Sequence, residues 1–200
     1  MGHLSAGQAD LVALIDEQTN LLNELTTRLL TTARLDAGQE VALHALPVGV
    51  AALIEEVVAS LGDRLASMKV NIQLEDDDLV LSCDRQLMVM LLTQYVDNAC
   101  KYSLFGTTIT IRAVRARAEV IFSVHSYGPV IPMSDRERIF ERYYRSSTQA
   151  NRASGTGIGL SVAKRVAVLH GGYVWVTSEE LEGTTFFAAI PAPVQKRSTR

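Results

Sequence analysis

Cysteine is scarce in this chain, and the little there is forms no constellation. Cys83 and Cys100 lie in apolar contexts with no Cys-x-x-Cys spacing, and the four histidines are scattered. That excludes a disulfide framework and a spaced zinc site, and it predicts two reduced, buried thiols of a cytosolic protein. Positive charge is not in excess either: the formal net charge is −3 and the pI about 5.8, so there is no basic footprint for nucleic acid. No apolar run approaches the ~20 residues of a membrane helix, and the polar N-terminus lacks the apolar stretch of a signal peptide. The chain as given is therefore expected to be soluble and cytoplasmic, with any membrane segment lying before residue 1. Met-Gly-His at the start reads as an expression remnant, so the chain is expected to be a fragment and His3 to have no role. No internal repeat is present.

What is there suffices for one full domain and an appendage: 200 residues, 48% hydrophobic and 20% charged. After a leader at 1–10, residues 11–37 carry Ile15, Leu22, Leu25 and Leu29, with Gln18 and Thr32 filling the remaining seam positions, in alternating three- and four-residue steps, the stripe of a helix with a coiled-coil-like seam. Such a stripe either packs onto its own domain or pairs with another helix; its length and the linker behind it favour pairing. Residues 38–49 then hold that linker and a short strand near 40–45. A helix is expected over 50–68, strands over 70–74 and 79–82 around the acidic turn 75–78, and a long helix from an Asp84 cap to Tyr102. Alternating segments at 107–114 and 119–124 read as antiparallel neighbours, followed by a short helix over 134–142, a polar loop over 146–154 and a helix over 158–169. Strands at 173–178 and 184–190 complete a domain over 50–192, and a basic tail occupies 193–200. The sum is an α+β two-layer sandwich, a mixed and mainly antiparallel sheet covered by about three helices and preceded by a long N-terminal helix.

Within this frame the segment 154–164, Ser-Gly-Thr-Gly-Ile-Gly-Leu-Ser-Val-Ala-Lys, places Gly155, Gly157 and Gly159 directly before a helical pattern. Glycines at this spacing let the backbone bring several N–H groups to one anion, and the helix adds its positive end. The run is not a dinucleotide fingerprint, because Leu160 stands where the third glycine would be. It is not a Walker loop, because no Gly-Lys-Ser/Thr occurs in the chain. A phosphate cradle remains, with an ordinary glycine-rich turn as the alternative.

Four motifs in order then resemble the catalytic, ATP-binding domain of sensor histidine kinases, which shares its nucleotide fold with the gyrase, mismatch-repair and heat-shock ATPases. Residues 94–103, Gln-Tyr-Val-Asp-Asn-Ala-Cys-Lys-Tyr-Ser, are similar to the asparagine box, and 139–145, Ile-Phe-Glu-Arg-Tyr-Tyr-Arg, to the phenylalanine box. Gly155, Thr156, Gly157, Ile158, Gly159 and Leu160 match the second glycine box, and Gly-Thr-Thr-Phe at 183–186, with Thr184, the final one. Residues 29–38 resemble the end of the second dimerisation helix of such kinases. The resemblance implies a fragment of a two-component kinase that binds ATP and Mg²⁺, pairs as a homodimer through the N-terminal helix in the full-length protein, and works with a response regulator. It would move the γ-phosphoryl to a histidine absent here, since neither His44 nor His170 has the phospho-acceptor context.

By the same resemblance Asn98 would offer its amide oxygen to Mg²⁺, Lys101 would reach phosphate and Tyr102 would lie near the nucleotide. Gln94 stands where the family commonly has a second Asn and the related ATPases a Glu base; an amide cannot act as a base. Arg142 or Arg145 would stabilise the transferred group. The first glycine box aligns with 126–132, where Ser126 replaces the adenine-binding Asp, Val130 replaces a Gly, and Gly128 and Ile131 remain. Losing a charge-assisted hydrogen bond costs on the order of tenfold in affinity. A β-branched residue at 130 either strains a φ > 0 backbone or fills ligand space. These departures leave a second reading, a degenerate module with weak or no ATP binding that acts by protein–protein contact.

Overall fold

The computed structural model describes residues 42–66, 68–146 and 157–192, together with the isolated helical positions Val12, Ile15, Gln18, Thr19, Thr26 and Ala33. The chain divides into two compact units, Met1–Ala42 and Leu43–Arg200. In the first, Val12, Ile15, Gln18, Thr19, Thr26 and Ala33 are helical, with the Thr19 hydroxyl donating to the Ile15 carbonyl at 2.7 Å. The seam leucines and residues 193–200 lie outside the described residues.

The second unit is built on a five-stranded sheet. In chain order its elements are β1 (Leu46–Gly49), α1 (Val50–Ser60), a short α2 (Gly62–Leu65), β2 (Lys69–Leu74), β3 (Val80–Cys83), α3 (Arg85–Tyr102), β4 (Thr108–Ala116), β5 (Glu119–Ser126), α4 (Gly159–Leu169), β6 (Tyr173–Glu179) and β7 (Gly183–Pro191). The sheet runs β2-β4-β5-β7-β6, with β2 parallel to β4 and the other neighbours antiparallel. This is the mixed, mainly antiparallel sheet expected. Burial alternates strictly along β5, so one face holds Val120, Phe122 and Val124 against the helices. Helix α3 lies over β4 and β5, α4 over β6 and β7, and α1 against α3. Tyr95 of α3 is fully buried, stacks on Phe186 and donates its hydroxyl to the Phe187 carbonyl at 2.9 Å, so helix and sheet are joined by a satisfied polar contact inside an apolar core.

Three boundaries differ from the sequence expectation. The first strand lies at Leu46–Gly49, not at 40–45, and pairs antiparallel with β3 in a separate two-stranded ribbon. Pro47 is tolerated because a ribbon edge requires no N–H from it. The helix expected over 50–68 breaks at Leu61, where Gly62 follows and φ moves to −108°. The expected helix over 134–142 is instead two 3₁₀ turns, Met133–Asp135 and Arg138–Phe140. Side-chain bonds hold this stretch to its neighbours: Arg136 donates to the carbonyls of Ile131 and Ser178, and Asp135 accepts from Ser134 and Ser146. Cys83 is buried as expected, while Cys100 is half-buried; burial raises both thiols, Cys83 to about 11, so they stay protonated.

Asp84 fixes how the two long helices meet. Its carboxylate caps α3 by accepting the Leu87 N–H at 3.2 Å and also accepts the His44 N–H at 3.2 Å. Its own N–H donates to His170 Nε2 at 3.0 Å, and the His170 Nδ1–H donates to the Val166 carbonyl at 2.8 Å. The start of α3 is thereby tied to the end of α4. Asp84→Ala is expected to destabilise the fold by about 1–2 kcal/mol, and a cycle with His170→Ala should show coupling between the two sites in urea denaturation.

Candidate functional site

The opposite ends of these helices enclose a cleft. It is lined from α3 by Gln94, Asp97, Asn98, Lys101 and Tyr102, and from the segment after β5 by Ser126, Gly128, Pro129 and Ile131. Ile139, Tyr144, Arg145 and Ser146 come from the 3₁₀ region, Gly157, Gly159 and Leu160 from the start of α4, and Thr184 and Phe186 from β7.

One end of the cleft suits an anion. Helix α4 begins at Gly159 without a side-chain cap, and its first in-helix bond is the Val162 N–H to the Ile158 carbonyl, so among the described residues the earlier amides have no partner and can meet a ligand. Gly157 has φ +70°, and its carbonyl accepts the N–H of Tyr143, itself left-handed at φ +60°. A Cβ at Gly157 would come within 2.9 Å of the Tyr143 carbonyl carbon, so glycine is required twice over. A Cβ at Gly159 would lie 2.3 Å from Gln94 Oε1, which places the Gln94 amide directly over the start of the helix.

Positive charge at this end is only partly neutralised. Asp97 accepts from Arg64 and from Lys101 at 2.5 Å each, so Lys101 reaches the cleft as part of a triad with a net charge of +1 by count of its members. The Asn98 side chain lines the cleft and makes no hydrogen bond among the described residues. An amide oxygen left unpartnered beside an anion site is the donor type a hard cation takes, with phosphate and water supplying the rest.

The other end is neutral. Ile131 and Phe186 line it with the hydroxyls of Ser126 and Thr184, which face each other in register across β5 and β7. Gly128 sits where a Cβ would come within 2.4 Å of the Tyr102 carbonyl oxygen, so the segment after β5 lies directly on the end of α3. The Ile131 N–H donates to Ser178 Oγ at 2.9 Å, which turns Ile131 inward.

The cleft thus gathers twelve of the residues proposed from the motifs: Gln94, Asn98, Lys101, Tyr102, Ser126, Gly128, Ile131, Arg145, Gly157, Gly159, Leu160 and Thr184. Val130, Ile158 and Arg142 are not among its lining residues. Val130 is half-buried without a positive φ, so it does not strain the backbone. Ile158 is the N-cap of α4, and Arg142 lies over the Tyr143 ring. Gly155 and Thr156 lie outside the described residues. Sequence reasoning missed Asp97, Pro129, Ile139, Tyr144, Ser146 and Phe186. Asp97 was detectable, since it stands four residues before Lys101 on a helix.

Comparison with known proteins places these features. A family model described as histidine kinase-, DNA gyrase B-, and HSP90-like ATPase matches residues 83–194. The adaptive-response sensory kinase SasA of Prochlorococcus marinus is 31% identical over 191 residues, covering 92% of this chain and 50% of that protein. Sensor-like histidine kinase SenX3 of Mycobacterium tuberculosis is 31% identical over 182 residues, covering 89% of this chain and 44% of that protein. The chain spans half or less of these curated relatives. Among solved structures, full-length ShkA in complex with AMPPNP superposes with a TM-score of 0.74 at 25% identity, covering 97% of this chain and 41% of that one. Among the described residues no helix is long and apolar enough to cross a membrane.

Two measurements follow from this geometry. Val130→Gly should leave affinity for an ATP analogue within about twofold, while Gly128→Ala, which must push back the Tyr102 carbonyl, should weaken it by about tenfold or more; titration calorimetry reads both. Acid should destabilise the fold in two stages. Burial lowers the pKa of His125, and the Ser146 hydroxyl, followed by Ser134 and Tyr144, lowers that of Asp135 against its own desolvation. At both sites the unfolded chain binds its proton more readily, so stability rises with pH. Loss begins as pH falls below 6.5 through His125 and continues below 3.8 through Asp135. Thermal denaturation should show a lower Tm at pH 5.5 than at pH 7.5, and His125→Gln should flatten that difference.

Proposed function

We propose that this chain, which belongs to the histidine kinase-, DNA gyrase B- and HSP90-like ATPase family as the ATP-binding domain of a two-component sensor histidine kinase, binds Mg-ATP in the cleft and delivers its γ-phosphoryl to a histidine on a dimerisation helix outside residues 1–200. The observation that carries the reading is the meeting of the uncapped N-terminus of α4 with the unpartnered amide of Asn98 in one cleft.

Each residue then has a physical task. The amides at the start of α4 and the Lys101 ammonium hold the phosphates, the first by oriented dipoles and the second as a point charge. Asn98 would be the protein ligand of Mg²⁺, whose chemistry when bound is to neutralise phosphate charge. Gln94, held over Gly159, orients the phosphate end without accepting a proton, so the catalytic part of this domain is positioning. Arg145 lines the cleft and is the better placed of the two arginines to meet a transferred phosphoryl group. Tyr102, Ile131 and Phe186 enclose the base. In this reading residues 50–192 form the nucleotide-binding domain, residues 11–37 form part of a dimerisation helix, and 38–49 link them, with a homodimer and a response regulator as the partners. The absence of a positive φ at Val130 favours this reading over a degenerate module.

Calorimetric titration with a non-hydrolysable ATP analogue, with and without Mg²⁺, tests this. Binding in the micromolar to sub-millimolar range that strengthens with Mg²⁺ is expected, and Asn98→Ala should abolish the magnesium increment while leaving residual binding about tenfold weaker or less. Absence of heat at millimolar ligand from folded protein overturns the reading.

A further inference from the structure

The neutral end of the cleft contains a hydrogen-bond arrangement whose proton positions can be assigned. Ser178 is fully buried, and its Oγ accepts the Ile131 N–H at 2.9 Å and lies 2.6 Å from Thr184 Oγ1. A serine hydroxyl has one proton to place, and Thr184 Oγ1 is its only other hydrogen-bond partner among the described residues. Ser178 therefore donates to Thr184; the reverse assignment would bury a hydroxyl proton with no acceptor. The Thr184 proton is left to point into the cleft. Beside it across the strand pair, Ser126 is 5% exposed, and its hydroxyl has no hydrogen-bond partner among the described residues. The single carboxylate among the lining residues, Asp97, is at the opposite end and is committed to Arg64 and Lys101.

The edge that would read a base is thus built only of hydroxyls. A carboxylate at this position would be acceptor-only: it would bond an amino group and repel an oxo group. Adenine carries a 6-amino donor and guanine a 6-oxo acceptor at equivalent positions, so an acceptor-only edge separates them strongly. A hydroxyl donates or accepts as needed, and Ser126 has its full capacity free.

We propose that Ser126, with Thr184 beside it, makes this a base-tolerant nucleotide site that takes 6-oxo purine nucleotides as well as 6-amino ones, and that Ser126 is the residue that sets this breadth. The proposal rests on the nucleotide reading above and concerns only its base end. Because each base forms a neutral hydrogen bond of similar strength, the two affinities should lie within about tenfold of each other. Restoring a carboxylate should add a charge-assisted bond to adenine and an unpaired acceptor contact to guanine, separating the two by about 100-fold or more.

The experiment is competitive calorimetry of the whole chain with AMPPNP and GMPPNP in Mg²⁺, on the unmodified protein, Ser126→Asp and Ser126→Ala. The expected result is comparable binding of both analogues by the unmodified chain, tighter AMPPNP and much weaker GMPPNP binding by Ser126→Asp, and little preference in Ser126→Ala. A preference of 100-fold or more for AMPPNP in the unmodified chain overturns the proposal and leaves the nucleotide reading intact, and that ratio needs no variant to fold. An unchanged ratio in a folded Ser126→Asp also overturns it. Binding of neither analogue by folded protein overturns both.

Discussion

The hydrogen bond from the Asp84 N–H to His170 Nε2 sets the register on which the site depends. It joins the first residue before α3 to the residue that ends α4, and the two helices run from that junction so that their other ends face one another. Those ends carry the amide of Asn98 and the open N-terminus of α4. A ligand that must be met by both requires their separation to be fixed to within a fraction of an ångström. The constraint is supplied at the far end of the helices, where it does not compete for space with the ligand.

The cleft itself is held from the sheet side by side chains that do not line it. Arg136 donates to two carbonyls and lies 3.1 Å from Glu179, so the segment carrying Ile131 is fastened to the end of β6. Ser178 completes the attachment. These groups leave few free donors in the wall and explain how a segment without regular secondary structure can present residues at fixed positions.

Much of this was legible in the sequence. The alternating segments, the Asp84 cap and the glycine run gave the sheet, the long helix and the phosphate end, because each rests on a local rule of periodicity, capping or backbone freedom. What was not legible depends on contacts between distant residues. Pro47 reads as the end of a strand until its partner β3 shows that it lies on a ribbon edge. Residues 134–142 carry a helical pattern, but the bond that Asp135 accepts from Ser146 and the one that Arg136 donates to Ser178 take the backbone elsewhere. Val130 aligns with a ligand-facing glycine by position in a motif, but its backbone has no positive φ and it is not among the lining residues of the cleft. For Asp97, helical spacing offered a signal, and the missing fact was the second cation, Arg64, from another helix.

The left-handed pair Tyr143 and Gly157 has a bearing on how this family of chains can diversify. Their backbones are joined by a 2.9 Å hydrogen bond, so Tyr143 and Gly157 are held together at one point. Closing a loop between fixed ends costs an entropy that grows only logarithmically with its length, about 0.6 kcal/mol for each doubling. The 2.9 Å bond therefore fixes the spacing of two parts of the cleft wall, Tyr144 to Ser146 on one side and Gly157 with Gly159 on the other, independently of how many residues join them.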